Sequence, residues 1–133
     1  MWRRRRSRRP EADRSLGLGD LAPDELAAVR AVVEALAGRD EAVLRAVGAY
    51  DDGDPYLWTQ DYGTWGRVDV VVPPGEPRTW NGWAVRTTEP GWTSVVVDMW
   101  TAQEGRSDLS LELDLHRPAN GPVRAVFRLL HVQ

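Results

Sequence analysis

The chain has 133 residues, a formal net charge of −3 and no cysteine, and 42% of its residues are hydrophobic. This length suits one globular domain with a core of its own. The lack of cysteine excludes disulfides, thiolate nucleophiles and cysteine-based zinc sites, and no apolar run approaches the roughly 18–20 residues of a membrane-spanning helix. We therefore expect a cytoplasmic protein with no membrane segment, no cofactor and no metal.

Basic charge is concentrated at the start of the chain. Six arginines lie between Arg3 and Arg9, whereas the remaining residues carry eleven arginines against twenty acids. We predict a disordered, arginine-rich tail over residues 1–19 and a single acidic domain over residues 20–133. The tail is the one segment suited to nucleic acid. Two alternatives explain the same composition: a solvated arm without a partner, or a start codon assigned too far upstream. The second alternative applies to the DNA of a high-GC bacterium, and the absence of lysine and isoleucine from the chain indicates such a genome.

Two helices are predicted at the start of the domain. The first spans residues 23–37, ends at Gly38, and carries its apolar residues at the three- and four-residue spacing of one helical face. Those residues are Leu26, Val29, Val33 and Leu36. A shorter helix at 41–47 begins after Asp40, whose side chain is suited to capping it. Residues 51–66, which are rich in aspartate and aromatic residues, match no regular element.

Strands dominate the remainder of the chain. Runs bounded by glycine and proline predict four to five of them, at 68–72, 83–88, 92–100, 108–116 and 122–132. The strand at 108–116 alternates four leucines with polar residues, which predicts one buried and one exposed face. We name the exposed side of the sheet the reverse face. Its predicted members are Trp92, Asp98, Trp100, Glu112, Asp114, Arg124 and Arg128.

An antiparallel meander with its apolar residues on one side fixes the register of the last three strands. It places Leu113 opposite Val95 in the first hairpin and opposite Ala125 in the second. On the reverse face it places Asp114 opposite Arg124. The same register predicts three further features: Ser110 opposite Arg128, Glu112 diagonal to both arginines, and a bulge at Leu129 and Leu130.

The order of these elements resembles a known architecture. A helix, a short second helix opened by Gly38-Arg39-Asp40 and a long C-terminal meander are similar to the cone-shaped α+β fold of nuclear transport factor 2-like and cystatin-like domains. That resemblance implies two helices packed on one face of a curved antiparallel sheet of four to five strands. The fold hosts isomerases, dehydratases, ligand binders and assembly modules, so it does not decide the function.

Residues 94–132 also resemble a bacterial domain family of unknown function. The similarity rests on three sequence segments, which are Val-Asp-Met-Trp-Thr, Glu-Gly-Arg-Ser-Asp-Leu-Ser-Leu-Glu-Leu and the C-terminal Leu-His-Val. These segments fall in the last three predicted strands. The resemblance implies no activity and assigns no functional residue.

Six of the seven tryptophans fall between Trp58 and Trp100. Aromatic rings beside opposite charges are typical of protein-binding surfaces, so we assign the binding site to the seven reverse-face residues named above. The alternative is that residues 51–91 fold over this face and bury its rings. Trp80 and Trp83 flank an Asn-Gly turn and are either exposed anchors or core residues.

No catalytic residue is assigned. The carboxylates of the last three strands are predicted to lie on the reverse face, whereas the helix-covered face is apolar except for Thr93 and Thr101. An enzyme of the cone-shaped fold would need its acid or base on the helix-covered face. His116, which the register places near Trp92, and His131 lack the spacing of a metal site and are interpreted as surface residues.

We therefore predict a small, non-catalytic interaction module that binds a protein partner through the reverse face. Its acidic charge suits a basic partner, as in an immunity or antitoxin-type role. The competing hypothesis is a nuclear transport factor 2-like ligand-binding protein or enzyme with a pocket between helix 23–37 and the sheet. The predicted mouth of that pocket comprises Asp54, Tyr56, Trp58, Asp61 and Tyr62. A homodimer through a sheet edge or through Trp92 and Trp100 is a further alternative.

Overall fold

The computed structural model of the chain describes residues 15–47, 56, 59–60 and 67–132. Within them the chain forms an α+β domain of two α-helices and six strands. The helices are α1 (Pro23–Ala37) and α2 (Glu41–Val47). The strands are β1 (Ser15–Gly17), β2 (Val70–Val71), β3 (Gly82–Arg86), β4 (Trp92–Thr101), β5 (Gly105–His116) and β6 (Arg124–Val132). The α+β class predicted from the sequence is confirmed.

The six strands among the described residues form a single curved antiparallel sheet. Its order is β1-β3-β4-β5-β6, and β2 pairs with the end of β4 that lies beyond β3. Each strand predicted from the sequence is present, although the two short ones are reduced to Val70–Val71 and Gly82–Arg86. The sixth strand, β1, exceeds the four to five strands that were expected.

β1 lies in the segment that the sequence predicts to be a disordered tail. Leu16 pairs with Ala84 of β3, and Leu18, directly after β1, is only 2% exposed. These two leucines contact the sheet and the core. Because glycines and charged residues surround them, they form no periodic hydrophobic pattern that would predict a strand. The folded domain therefore includes Ser15–Gly17, and its boundary does not lie at residue 20.

The bounds predicted for both helices are confirmed. α1 begins at Pro23, which lacks the N–H that a helix start leaves unpaired in any case, and it ends before Gly38. α2 begins after Asp40, whose carboxylate accepts the backbone N–H of Val43 at 3.2 Å. Residues within or next to each helix specify its ends, which is why local sequence signals sufficed to predict them.

α1 and the sheet share one packed core. The buried face of α1 is wider than the predicted stripe, because Val32 and Ala35 are also buried, whereas Leu26 is half-buried. Val97 of β4 and Leu111 of β5 belong to the same core and are fully buried. A helix lying across several strands needs a broad apolar face, which a narrow three- and four-residue stripe does not provide. The two polar residues that β4 contributes to this side are those predicted, Thr93 and Thr101.

The register predicted for β4 and β5 is confirmed over most of the hairpin. Val95 pairs with Leu113, as predicted, but a bulge falls between Asp98 and Trp100. Both strands run on into the segment predicted to be a loop, and the turn is confined to residues 102–104. The bulge changes the residue count on one strand without changing which face each side chain occupies further along β4.

The register predicted for β5 and β6 is wrong by two residues. Leu113 pairs with Phe127 and not with Ala125. The observed pairing places the largest buried side chain of β6, at 1% exposure, in the middle of the core. Pro118 and Pro122 lie in the connection and cannot donate a backbone hydrogen bond to a ladder, so β6 begins later than predicted. The shift of two residues keeps the side chains before the bulge on their predicted faces, from Arg124 to Phe127, whereas the extra residue of the bulge moves Leu129 to the opposite face.

The shift changes the neighbours on the reverse face. Asp114 lies opposite Val126, whereas the predicted partner, Arg124, lies opposite His116. Glu112 then pairs with Leu129, which leaves Arg128 as the extra residue of a bulge. The predicted bulge is thus confirmed in this strand, at the residue before the two leucines. Ser110 pairs with His131 and not with Arg128.

Candidate interaction surface

The reverse face is exposed along the whole of β4. Alternate residues of this strand, from Trp92 to Trp100, are half-buried, while the residues between them are buried on the helix-covered face. Residues 67–91 extend the sheet through β2 and β3 and do not lie across the face. The remainder of the segment that the sequence predicts as a possible cover, 51–66, lies outside the described residues except for 56 and 59–60. No other described element lies across the reverse face, although Ser110, which lies on this face between Asp98 and His131, is buried at 1% exposure.

One row of side chains crosses the reverse face from strand to strand. In order, the row consists of Trp83, Val96, Glu112 and Leu129. Its ends are the two most exposed large hydrophobic residues of the described chain, with Trp83 at 46% and Leu129 at 45% exposure. The sequence leaves Trp83 unassigned and predicts Leu129 to lie in the core. The bulge at Arg128 turns Leu129 outward, and no periodic pattern reveals such a bulge.

The rings of Trp92 and His116 stack at one end of the reverse face. Their centroids are 4.4 Å apart and their planes are 20° from parallel. The predicted proximity of these residues is confirmed, since they pair across β4 and β5. Stacking covers one side of each ring and restricts its rotation, so Trp92 forms a rigid edge of the surface. Arg124, which pairs with His116 from β6, is exposed beside this stack.

Trp100 forms the opposite end of the reverse face. It is half-buried and pairs with Arg106 of β5 and with Val71 of β2. Its indole lies against Gly105, where φ is 75° and glycine avoids the strain that another residue would carry. The predicted position of Trp100 on the reverse face is confirmed, and the turn holds the ring in place.

The carboxylates of the reverse face are paired with bases. The pairs are Asp98 with Arg106 at 3.5 Å, Asp114 with Arg128 at 3.3 Å, and Glu112 with His131 at 2.7 Å. The Ser94 hydroxyl also donates to Asp114 at 3.3 Å. Exposed pairs of this kind add little to stability. Together with the exposed Arg124, the two arginines of these pairs offset the charge of the three carboxylates, so the face is mixed in charge.

The tryptophans of the described chain divide between the core and the surface. Trp80 is 6% exposed and its indole N–H donates to the carbonyl of Gly75 at 3.1 Å. It is a core residue, whereas its neighbour across the Asn-Gly turn, Trp83, is exposed. Trp58 and Trp65 lie outside the described residues.

Tyr56 is the one predicted mouth residue that lies among the described residues. Its side chain is buried and its hydroxyl donates to the carbonyl of Leu36 at 2.8 Å. The guanidinium of Arg39 lies 4.0 Å from the centre of the ring, a cation–π contact. Tyr56 therefore closes the C-terminal end of α1. The other predicted mouth residues, Asp54, Trp58, Asp61 and Tyr62, lie outside the described residues, as does the arginine-rich segment from Arg3 to Arg9.

An open groove of about 440 Å³ lies where α1, α2 and β6 meet. Alanines and valines line most of it, including Ala31 of α1 and Val43 of α2. It opens between α1 and the edge strand of the sheet, with α2 on its other side. Its lining contains no aspartate, tyrosine or tryptophan, and Arg124 is its charged member. This lining can accept apolar groups but offers no acid or base for chemistry.

Comparison with known families identifies this arrangement of helices and strands. The sequence profile of a domain of unknown function (DUF7668) matches residues 13–133. The chain belongs to the DUF7668 family. The match covers the whole described structure, including β1, and so extends well beyond the region 94–132 in which the sequence resemblance was noticed. Comparison with curated proteins and with solved structures finds no match.

An ion pair between a buried carboxylate and a half-exposed guanidinium joins α1 to the sheet of this DUF7668 domain. Glu25 is 3% exposed, accepts the Ala22 N–H at 2.9 Å, and binds both terminal nitrogens of Arg86 at 2.5 and 3.2 Å. Arg86 also donates to the Thr93 hydroxyl. Burial raises the pKa of Glu25, but these hydrogen bonds outweigh it and hold the pKa below its usual range.

Titratable groups of the described DUF7668 domain are dispersed in pairs. Asp24 and Arg117 form one such pair, with two hydrogen bonds of 2.9 and 2.8 Å that tie the start of α1 to the end of β5. No three histidines, aspartates or glutamates among the described residues come together as a metal site would require. No helix in the described part of the chain has the length and apolarity to cross a membrane.

Proposed function

We propose that the DUF7668 domain is a non-catalytic interaction module that binds a protein partner through the reverse face. The observation that carries this proposal is the row ending in Trp83 and Leu129, two large apolar side chains exposed on a sheet face that no described element covers. Tryptophan is enriched among residues that dominate binding energy, and a rigid sheet presents it at little entropic cost.

The energy available from this row is sizeable. Trp83 exposes nearly half of its side chain, so covering the ring would remove ~100 Å² of apolar surface from water and gain roughly 2–3 kcal/mol. Leu129, exposed to the same fraction, would add about 1 kcal/mol. The stacked pair of Trp92 and His116 adds a surface that is already rigid and loses little freedom on binding.

The chemistry of the partner follows from the charge balance. Each of Asp98, Glu112 and Asp114 has a basic residue beside it, so the face supplies no unpaired acidic patch. The immunity or antitoxin-type role was predicted from the acidic charge of the whole body, and the mixed charge of the reverse face adds nothing to it. The proposal therefore specifies a partner with a largely apolar centre and a polar rim, as protein interfaces commonly have.

A photo-crosslinking experiment tests the proposal. The full chain is expressed in its own cells with benzoylphenylalanine in place of Trp83, and a matched control carries the same group at Ala27, an exposed position on the outer side of α1. We expect protein adducts after illumination from Trp83 and none from Ala27. An absence of adducts from Trp83, or equal adducts from both positions, refutes the proposal.

A second candidate is a nuclear transport factor 2-like protein that binds a small apolar ligand. The groove between α1, α2 and β6 supports it, because its size suits an acyl chain or a similar group. Titration with a fluorescent fatty acid tests it: Ala31→Trp fills the groove and should weaken binding at least tenfold, while Ala27→Trp, outside the groove, should not. Equal binding by both variants, or none by the wild type, removes this candidate.

Two inferences from composition remain part of the proposal. The use of arginine and never lysine supports a high-GC bacterial source. The lack of cysteine supports a cytoplasmic location. Together they direct the search for the partner to cytoplasmic proteins of the source cell, and fractionation of that cell before crosslinking tests the location directly.

A further inference from the structure

We propose that the partner at the reverse face is a second copy of the same chain. The two copies pack face to face around a two-fold axis that runs parallel to the strands, between β4 and β5. The inference rests on the proposed function, since it names the partner of that same face. A symmetric dimer requires a surface that complements itself, and the order of residues across the four strands β3 to β6 has this property.

The row from Trp83 to Leu129 shows the complementarity most clearly. Its ends lie on β3 and β6, the two strands equally distant from the proposed axis. Rotation about that axis places β3 of one copy on β6 of the other, so Trp83 contacts Leu129 of the second copy, and Leu129 contacts Trp83. Each dimer therefore has two identical apolar contacts, and both of the exposed side chains on the face become buried.

The neighbouring row is self-complementary in the same way. It consists of Val85, Ser94, Asp114 and Val126 on successive strands. Rotation brings Val85 onto Val126 of the second copy, and it brings the Ser94 hydroxyl, which already donates to its own Asp114, near the other Asp114. The strands of two packed sheets cross at about 30°. This rotation displaces residues least near the middle of the face, so the two central rows stay matched although the ends of the strands diverge.

The outer rows bring aromatic rings onto cationic groups. Trp100 of β4 pairs with Arg106 of β5, and rotation places each indole over the guanidinium of the other copy, a favourable cation–π arrangement. At the opposite end, Trp92 of one copy meets His116 of the other, because these two residues also lie on β4 and β5. No carboxylate is placed on another carboxylate in any of these rows.

Electrostatics selects this axis over its alternative. If the two-fold axis ran across the strands instead, each row of one copy would lie on the row of the other copy that is equally far from the axis on its opposite side. With the centre on the row of Glu112, that residue would face itself in the other copy; with the centre half a row towards Asp114, Glu112 would face Asp114. Juxtaposed like charges oppose association strongly. The axis parallel to the strands instead sets Glu112 against Val96 and Asp114 against Ser94 of the second copy.

The area of the face is sufficient for a stable dimer. Four strands spaced ~4.8 Å apart, along the ~33 Å length of β4, present about 600 Å² on each copy. Two copies therefore bury roughly 1,200 Å², above the ~1,000 Å² that a specific protein interface needs.

Sedimentation of paired charge variants tests the inference. We expect the wild-type full chain to sediment at twice its mass of 14.9 kDa. Trp83→Lys and Leu129→Glu should each weaken the dimer at least about thirtyfold, the loss typical of a dominant interface residue. An equimolar mixture of the two variants should dimerise again, because one contact then joins lysine to glutamate and the other keeps tryptophan on leucine.

The control is Val43→Lys, which charges another exposed hydrophobic residue, at 37% exposure, on α2 and away from the reverse face. It should leave the dimer unchanged. Circular dichroism establishes that each variant is folded, and rescue in the mixture establishes it independently. A monomeric wild type, or dimerising single variants, overturns the inference, as does a mixture that stays monomeric.

The outcomes also separate this inference from the proposed function. If the wild type is monomeric while benzoylphenylalanine at position 83 crosslinks to a different protein, the proposed interaction module is supported and a second copy is excluded as its partner. If the wild type is monomeric and Trp83 gives no adduct, both proposals fall. Adducts at twice the mass of the chain, together with rescue in the mixture, support both.

Discussion

Replacing Glu25 by glutamine should destabilise the domain measurably. The wild-type carboxylate accepts two charge-assisted hydrogen bonds from Arg86, at 2.5 and 3.2 Å. A hydrogen bond to a charged group contributes about 1.5–3 kcal/mol, against about 0.5–1.5 kcal/mol for a neutral one. The difference is about 1 kcal/mol per bond, so Glu25→Gln should lower the free energy of unfolding by about 2 kcal/mol and Tm by about 7 °C.

The pH dependence provides an independent check on the role of Glu25. Its pKa is held below the usual range in the folded chain, so its contribution to stability is fully present above the unfolded pKa and is lost as the pH falls through the folded pKa. Urea unfolding at pH 7 should therefore separate wild type from Glu25→Gln by about 2 kcal/mol. The two curves should converge towards pH 3.

The matched control for this measurement is Glu34→Gln. Glu34 accepts a hydrogen bond from Arg30 at 2.9 Å, but the side chains of both residues are about half exposed to solvent. An exposed pair four residues apart on a helix contributes about 0.3–0.5 kcal/mol. Equal losses for Glu25→Gln and Glu34→Gln, or a loss for Glu25→Gln that stays constant down to pH 3, would refute the reasoning.

Two further substitutions test how the chain closes its core. Tyr56→Phe removes the hydroxyl that donates to Leu36 at 2.8 Å and should cost about 1 kcal/mol in urea unfolding; an unchanged midpoint would show that water satisfies the carbonyl. Gly82→Ala places a methyl group against the carbonyl of Val96, at a φ of 159°, and should cost more than about 2 kcal/mol; a thermal melt within 2 °C of the wild type contradicts this.

Local sequence signals were enough to predict the helices. Pro23, Gly38 and Asp40 mark helix ends through their own backbone and side-chain chemistry, and the structure places both helices where these residues indicate. β1 was missed because its evidence is non-local. Leu16 stabilises a strand only through its pairing with β3, and three residues are too short to show a period.

The error in the β5–β6 register has a simple physical cause. Side chains alternate with a period of two, so hydrophobic pattern separates odd shifts from even ones but does not distinguish two even shifts. Pairing Leu113 with Ala125 or with Phe127 keeps the same faces. Only the packing of the large Phe127 ring and the length of the connecting loop decide between them, and neither is visible in the pattern.

The interaction surface was predicted in part. Alternation along β4 and β5 placed Trp92, Trp100 and Glu112 on the reverse face correctly. The exposed end of the row at Leu129 depends on a one-residue bulge, and the charge balance depends on which base each carboxylate reaches. Both properties arise from side-chain geometry after the sheet has formed, so a linear sequence with no relatives beside it gives no signal for them.

The two edges of the sheet determine what kind of assembly this chain can enter. β1 is three residues long, and β6, at the other edge, carries an inserted Arg128 that interrupts a regular ladder. Neither edge offers the long, flat run of free backbone groups on which another strand can be added indefinitely. Association through such edges would extend into filaments, whereas association through the broad face stops at two copies. The two short or interrupted edges of the described sheet therefore disfavour growth of filaments through added strands.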